Sequence, residues 1–253
     1  MLAEFRSLVR GVGWFCVALM ALALVFFAVG VERRVAVFVP TIDGQSASQL
    51  VFKAIVRDLA PEGVVIAASS PLSPFTAQMA VSLFLAFAVL SPVMVYATVR
   101  YVAGALEPHE RRVIYMATAP ASLLFIAGVV FSYYLLLPIT FNALYSLAQG
   151  LGVPHYFFLE DFITTTLGLL AVGGFIFLIP VIMPLLTFMG VVSVHTWVQR
   201  WRTVLLTALI FAAIITPDGS GISMVILSLP IFIGYFVGLL LSRVIAGKKQ
   251  TRE

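Results

Sequence analysis

Charge is scarce in this sequence: of 253 residues, 10% are Asp, Glu, Lys or Arg, against 62% hydrophobic, with a mean hydropathy of +1.10. A soluble domain usually carries about 25% charged residues, so too little polar surface is available to cover a globule in water, and lipid is the implied solvent. Cysteine is nearly absent. The lone Cys16 excludes an intrachain disulfide, and no Cys/His spacing offers a metal site. Histidine is confined to His109, His155 and His195, none of them inside an apolar run. Gly219-Ser220-Gly221 superficially resembles a nucleophile elbow, yet no histidine at membrane depth is placed to activate Ser220. Nucleotide-binding and calcium-loop motifs are also missing. No catalytic centre, metal or cofactor is expected, so the chain does not read as an enzyme. The net charge of +4 is a matter of membrane topology rather than nucleic-acid affinity.

What the sequence has instead is long apolar runs. A helix needs about 20 apolar residues to cross a hydrocarbon core roughly 30 Å thick. Candidate spans lie at 12–31, 74–99, 113–139, 162–194, 203–216 and 222–241, which predicts an all-α polytopic protein with a single integral membrane domain over 1–253. The fourth run is too long for an upright helix, and Pro180 and Pro184 predict a kink or tilt there. The fifth is short: Val204 to Ile215 reaches about 18 Å at 1.5 Å per residue, so it is expected to pair with the sixth as a short hairpin. Polar groups within the runs are limited to Gln78, hydroxyls and, near a span end, Asn142. That disfavours ion-coupled transport, which usually exposes a buried carboxylate or paired cation.

Basic residues orient the spans. With the amino terminus inside, Arg6, Arg10, Arg100, Arg111, Arg112, Arg200, Arg202, Arg243, Lys248, Lys249 and Arg252 are cytoplasmic. Arg33, Arg34, Lys53 and Arg57 are outside, giving 11 cations against 4. The positive-inside rule then places both termini in the cytoplasm. The amino terminus is read as an uncleaved first span, because Glu4 sits in its basic region and its apolar run exceeds the usual signal-peptide length.

Between Glu32 and Ser73, Asp43-Gly44 marks a turn and Ser48 is expected to cap a helix ending before Ala60-Pro61-Glu62-Gly63. Leu50, Val51, Ala54, Ile55 and Leu59 recur at helical spacing, with Gln49, Lys53 and Arg57 on the other side, which predicts an amphipathic extracytoplasmic cap. In the second outside loop, Tyr156, Phe157 and Phe158 precede Glu160 and Asp161, as expected of a helix entering from the interface with acids in its first turn.

The cytoplasmic face mixes acids with arginines in two short segments, Leu2-Ala3-Glu4-Phe5-Arg6 and Leu106-Glu107-Pro108-His109-Glu110-Arg111-Arg112. Carboxylates fixed at a membrane surface suit a guanidinium, which they hold by parallel charge-assisted hydrogen bonds. A peptide with adjacent arginines would find two acceptors. The plainer alternative is that Glu4 and Glu110 merely balance Arg6, Arg111 and Arg112.

These segments, in this order, resemble the TatC family, the signal-reading core of the twin-arginine protein translocase. Leu2 to Arg6 resembles its amino-terminal pattern, with Met1 at the histidine position and Phe5 for leucine. Ser73-Pro74-Phe75 and Ser91-Pro92-Val93 with Tyr96 fit its second span, and Leu106 to Arg112 its Leu-x-x-x-Glu-Arg-Arg loop. Phe131-Ser132-Tyr133-Tyr134 with Pro138 fit its third span, and Ile215-Thr216-Pro217-Asp218 its loop between short fifth and sixth spans. The resemblance implies that Glu4 and Glu110 form the cytoplasmic site for twin-arginine signal peptides of folded cargo, with Arg6, Arg111 and Arg112 supporting. Glu107 is added here as a third acceptor, and Thr216, Pro217 and Asp218 as a structural or functional loop. It further implies single-span partner subunits of the TatA/TatB type, an oligomeric complex driven by the proton gradient, and the cytoplasmic membrane of a prokaryote. Two positions depart from the family: Leu178 and Phe236 stand where many or some members have glutamate. Partner packing is then expected through apolar or small residues, with Gly234 and Gly238 offering a GxxxG face. The competing reading is a small-solute permease built on the proline-kinked fourth span.

Overall fold

The computed structural model describes residues 2–28, 30–34, 37–41, 46–60, 64–104, 108–151, 156–216 and 221–250, with side chains for 15–28, 46–60, 64–96, 116–151, 156–216 and 221–247. The apolar runs fold as helices. Among the described residues, four helical stretches are long and apolar enough to cross a membrane: Ser73–Tyr96, Met116–Gly150, Leu159–Phe188 and Ile222–Gly247. Two shorter apolar helical stretches, Phe15–Ala28 and Trp201–Ile215, accompany them. The chain divides into two compact units, Met1–Ala97 with Leu147–Gly168, and Thr98–Ser146 with Leu169–Glu253.

In the first unit, α1 (Leu2–Ala28) is followed by an antiparallel hairpin of β1 (Gly30–Arg34) and β2 (Val37–Thr41), with Gly30 opposite Thr41 and Arg34 opposite Val37. The expected turn at Asp43-Gly44 lies outside the described residues. Helix α2 (Ala47–Leu59) is the expected amphipathic element, with Ser48, Ile55 and Leu59 buried and Gln49, Lys53 and Arg57 exposed. Its cap is Ser46, not Ser48. The Ser46 hydroxyl accepts from the Gln49 amide, and the Gln49 side chain accepts from the Ser46 amide, each at 3.3 Å, a reciprocal capping box. The helix stops at Ala60, whose ψ of 122° is the extended conformation imposed by the following proline.

Strand β3 (Val65–Ala67) then pairs in parallel with β4 (Tyr156–Phe158), Val65 opposite Tyr156. Each strand leads directly into a long helix, β3 into α3 (Ser73–Gly104) and β4 into α6 (Leu159–Ile176). Glu160 and Asp161 occupy the first turn of α6, where the helix dipole favours carboxylates. Phe157 stacks on Phe162 with ring centroids 6.3 Å apart.

In the second unit, α4 (Pro108–Phe131) continues through a π-helical turn, Ser132–Leu136, into α5 (Leu137–Gly150). Helix α4 approaches α6 through glycines. A Cβ added to Gly128 would stand 2.3 Å from the Gly173 carbonyl oxygen, and one on Gly174 would stand 2.6 Å from the Phe125 ring. Side chains are therefore excluded at the crossing, as in small-residue packing between membrane helices. Phe131 and Phe177 close it on one side with centroids 5.4 Å apart.

The predicted interruption of the fourth run is present. Helix α6 ends at Ile176 and α7 (Ile179–Phe188) begins with Pro180 near its amino end, where a missing N–H costs nothing. Helices α8 (Val194–Gln199) and α9 (Trp201–Ile215) follow. Helix α9 packs on α10 (Ile222–Gln250), as expected of the fifth and sixth runs, but only α9 is short: α10 has 29 residues and its Ile222–Gly247 stretch is long enough to cross a membrane, which corrects the expectation of a short sixth span. Helix α10 also packs along α7. Cβ atoms on Gly234 and Gly238 would meet Pro180 Cδ at 3.2 Å and Met183 Sδ at 2.9 Å. The GxxxG face is thus filled from within the chain, which corrects the expectation that it is offered to partner subunits.

Candidate functional site

Glu4 and Arg6 lie in the first turns of α1, which starts at Leu2, and Glu110, Arg111 and Arg112 lie in the first turns of α4, which starts at Pro108. Their side chains are outside the described set, as are Glu107, Pro217 and Asp218 entirely. The backbone places both carboxylate positions where helix amides have no intrahelical acceptor and the dipole is positive. Pro108 is suited to a first helical position, its fixed φ being preorganised for the helix. Positions one and two apart on a helix do not face one another, and this is the spacing of Glu110 to Arg111 and Arg112 and of Glu4 to Arg6.

Thr216, the described member of the proposed loop, ends α9. Its amide and hydroxyl both bond the Ala212 carbonyl, each at 2.9 Å, and it is buried. It has a structural task there, satisfying a carbonyl in the last turn of a short helix.

Of the two positions that depart from the family pattern, Leu178 caps the start of α7 without a side-chain hydrogen bond, and Phe236 is 47% exposed on α10. Neither supplies a polar contact.

Two polar clusters escaped the sequence reading. In the first, Glu160 accepts from two serines that precede and begin α3: Ser69 donates to Oε2 at 2.6 Å and Ser73 to Oε1. Ser73 also accepts from the Ser70 amide at 2.9 Å. The carboxylate, expected only to favour its own helix start, also clamps the start of α6 to the start of α3. The Ser69-Ser70-Pro71-Leu72-Ser73 run was its only sequence signal. In the second, Gln78 of α3 donates to Ser46 at 3.1 Å and Ser48 at 3.3 Å, tying the amino end of α2 to α3. Ser48 is buried and already inside α2, which begins at Ala47, so the capping position falls to Ser46.

In the second unit a buried hydroxyl pair joins two helices, Thr140 with Ser223 at 3.1 Å. By contrast, the buried Ser132 and Thr118 hydroxyls have no hydrogen-bond partner among the described residues.

Comparison with known proteins extends these observations. Residues 1–230 match the family model described as Sec-independent protein translocase protein (TatC). Over 181 residues, 72% of this chain and 69% of the relative, the sequence is 34% identical to the Sec-independent protein translocase protein TatC of Cenarchaeum symbiosum (strain A). It is 28% identical over 204 residues to the Escherichia coli (strain K12) protein of the same name, covering 81% and 78% of the two chains. A crystal structure titled Twin Arginine Translocase Receptor TatC superposes with a TM-score of 0.74 at 23% identity, covering 97% of this chain and 99% of that one. A second, in DDM, gives a TM-score of 0.76 at 23% identity, covering 95% and 98%.

Proposed function

Because the chain belongs to the TatC family of Sec-independent protein translocase proteins and is therefore a multi-pass membrane component of that translocase, a transport part and not an enzyme, we propose that it is the receptor for twin-arginine signal peptides. Glu4 and Glu110 read the arginine pair of folded cargo at the cytoplasmic face, each carboxylate holding a guanidinium by charge-assisted hydrogen bonds. Arg6, Arg111 and Arg112 orient the site, and Glu107 is a third acceptor. The chain acts as a single membrane domain of six spans with both termini cytoplasmic, in the cytoplasmic membrane of a prokaryote. Single-span Tat partners assemble around it in an oligomeric complex, and the proton gradient drives passage.

The observation that carries this reading is the position of both glutamates in helix first turns, within a family match that begins at residue 1. Helix spacing favours it over simple charge balance, since an intrahelical ion pair needs a separation of three or four residues, which neither glutamate has to the arginines named here. The permease reading loses its main support, because Pro180 and Met183 of the kinked run are packed against Gly234 and Gly238 rather than held open for a solute.

The test is export of a twin-arginine reporter by Glu110→Ala and Glu4→Ala chains present in the membrane at wild-type level. Export should fall at least tenfold, as expected for about 1.5–3 kcal/mol per hydrogen bond to a charged group. Undiminished export by both variants refutes the site.

A further inference from the structure

The link between α7 and α9 is fixed to the body of the second unit. Ser193 caps α8 by accepting from the Thr196 amide at 3.2 Å. Trp197 is held at two points: its indole N–H donates to the Thr187 hydroxyl at 3.1 Å, and its carbonyl accepts from the Tyr235 hydroxyl at 2.5 Å. The Trp197 ring also meets Tyr235 edge-on, with centroids 6.3 Å apart. A segment anchored in this way presents a defined outer surface.

That surface combines cations with isolated apolar side chains. His195, Arg200 and Arg202 are exposed, beside Val191 at 63%, Val198 at 37% and Trp201 at 40% exposure. The sequence has no Asp or Glu between Asp161 and Asp218, and among the described residues no carboxylate pairs with Arg200 or Arg202. The Arg202 guanidinium lies over the Trp201 ring, 5.4 Å from its centroid. Directly beyond these cations, α9 exposes Leu206, Ile210 and Ile214 at successive four-residue intervals along one side. From Arg202 to Ile214 the helix rises about 18 Å, close to the roughly 15 Å half-thickness of a bilayer core. An indole at headgroup level, unneutralised guanidinium groups beside it and an apolar stripe one leaflet deep below them match the layers of a phospholipid.

We propose that the Val191–Arg202 surface binds anionic phospholipid, Arg200 and Arg202 holding the headgroup phosphate while the acyl chains run along the exposed stripe of α9. The occupant is a lipid rather than a protein partner because the arginines at the start of α9 are followed along the helix by an exposed apolar stripe about one leaflet long. Free phosphate would use the arginines but have no use for the stripe.

The test uses the full purified chain in nanodiscs of phosphatidylcholine with increasing phosphatidylglycerol, reading retained lipid by native mass spectrometry. Phosphatidylglycerol should be retained preferentially, and R200Q/R202Q should reduce that preference about fivefold for each guanidinium removed. R243Q, at an exposed arginine of α10 that is not one of the two arginines assigned to the phosphate, should leave it intact. An unchanged preference in R200Q/R202Q, or an equal loss in R243Q, overturns the proposal. As a second measurement on the wild-type chain, brominated phosphatidylglycerol should quench tryptophan fluorescence more than brominated phosphatidylcholine, and W201F should remove the excess. Equal quenching by the two lipids would also overturn it.

Discussion

Replacing Gly128 with alanine tests the α4–α6 crossing where it is tightest. The added methyl group would lie 2.3 Å from the Gly173 carbonyl oxygen, 2.8 Å from its carbon and 2.9 Å from Gly174 Cα. All three are backbone atoms, so no rotamer change relieves the clash. Restoring an ordinary C···O separation of about 3.3 Å requires the helices to part by roughly 1 Å. The Gly173 carbonyl cannot swing away freely, because it accepts the Phe177 amide at 3.2 Å at the end of α6. A radial gap of this size forfeits a quarter to a half of the local dispersion energy, and overpacking against a rigid neighbour costs about 3 kcal/mol. The gain in helix propensity from glycine to alanine returns up to about 1 kcal/mol. The net loss is about 2 kcal/mol, or about thirtyfold in the folding equilibrium. Gly168→Ala is the control: it sits in α6, the partner helix of the crossing, with nothing within 4 Å of its added methyl, so only the propensity gain applies. Helix content followed during SDS titration from mild detergent should show Gly128→Ala unfolding early and Gly168→Ala at or beyond wild type. Coincident curves for the two variants would refute the crossing geometry. Gly173→Ala adds a diagnostic contrast, since its methyl would fall 1.8 Å from the Ser132 hydroxyl oxygen and 3.0 Å from its Cβ. Ser132→Gly should therefore partly rescue Gly173→Ala and do nothing for Gly128→Ala.

Two further outcomes follow from the polar groups. Ser132→Ala removes a buried hydroxyl that has no partner among the described residues, so stability in the same titration should be unchanged or raised by about 1 kcal/mol; a clear loss would show that the hydroxyl is satisfied after all. Glu160→Ala should lower the thermal midpoint, and should do so far less in a chain already lacking the Ser69 and Ser73 hydroxyls, because the three residues form one clamp. Additive losses would mean that the carboxylate acts elsewhere.

Much of the fold was legible because hydrophobic runs and prolines act locally. The helices at 73–104, 159–176 and 222–250, and the break beside Pro180, follow from run length and a missing amide donor. The hairpin at 30–41 and the pairing of β3 with β4 were not legible, since strands of three to five residues leave no usable periodicity. The cap of α2 is decided by the reciprocal bonds of Ser46 with Gln49, which place the helix start at Ala47, two residues earlier than composition alone suggested. Gly234 and Gly238 were singled out correctly as a packing face, but their partner was α7 of the same chain. Gly128 and Gly173 lay unremarked in apolar sequence because only the crossing gives them meaning. For the candidate site, charge and spacing in the sequence supplied the residues, and the helical backbone adds that Glu4 and Glu110 share the same kind of position.

The β3–β4 pairing and the Glu160 clamp join segments about 90 residues apart in sequence. Both must wait until α3, α4 and α5 have been made, because the second strand follows them in the chain. Until then Ser69 and Ser73 lack their acceptor and β3 has an open edge. The clamp is thus a checkpoint in the order of assembly: a chain stopped before Tyr156 presents an unfinished strand, the kind of edge that quality-control proteases and chaperones engage. Its closure gives β3 a partner on that edge and the two serines their acceptor in one step.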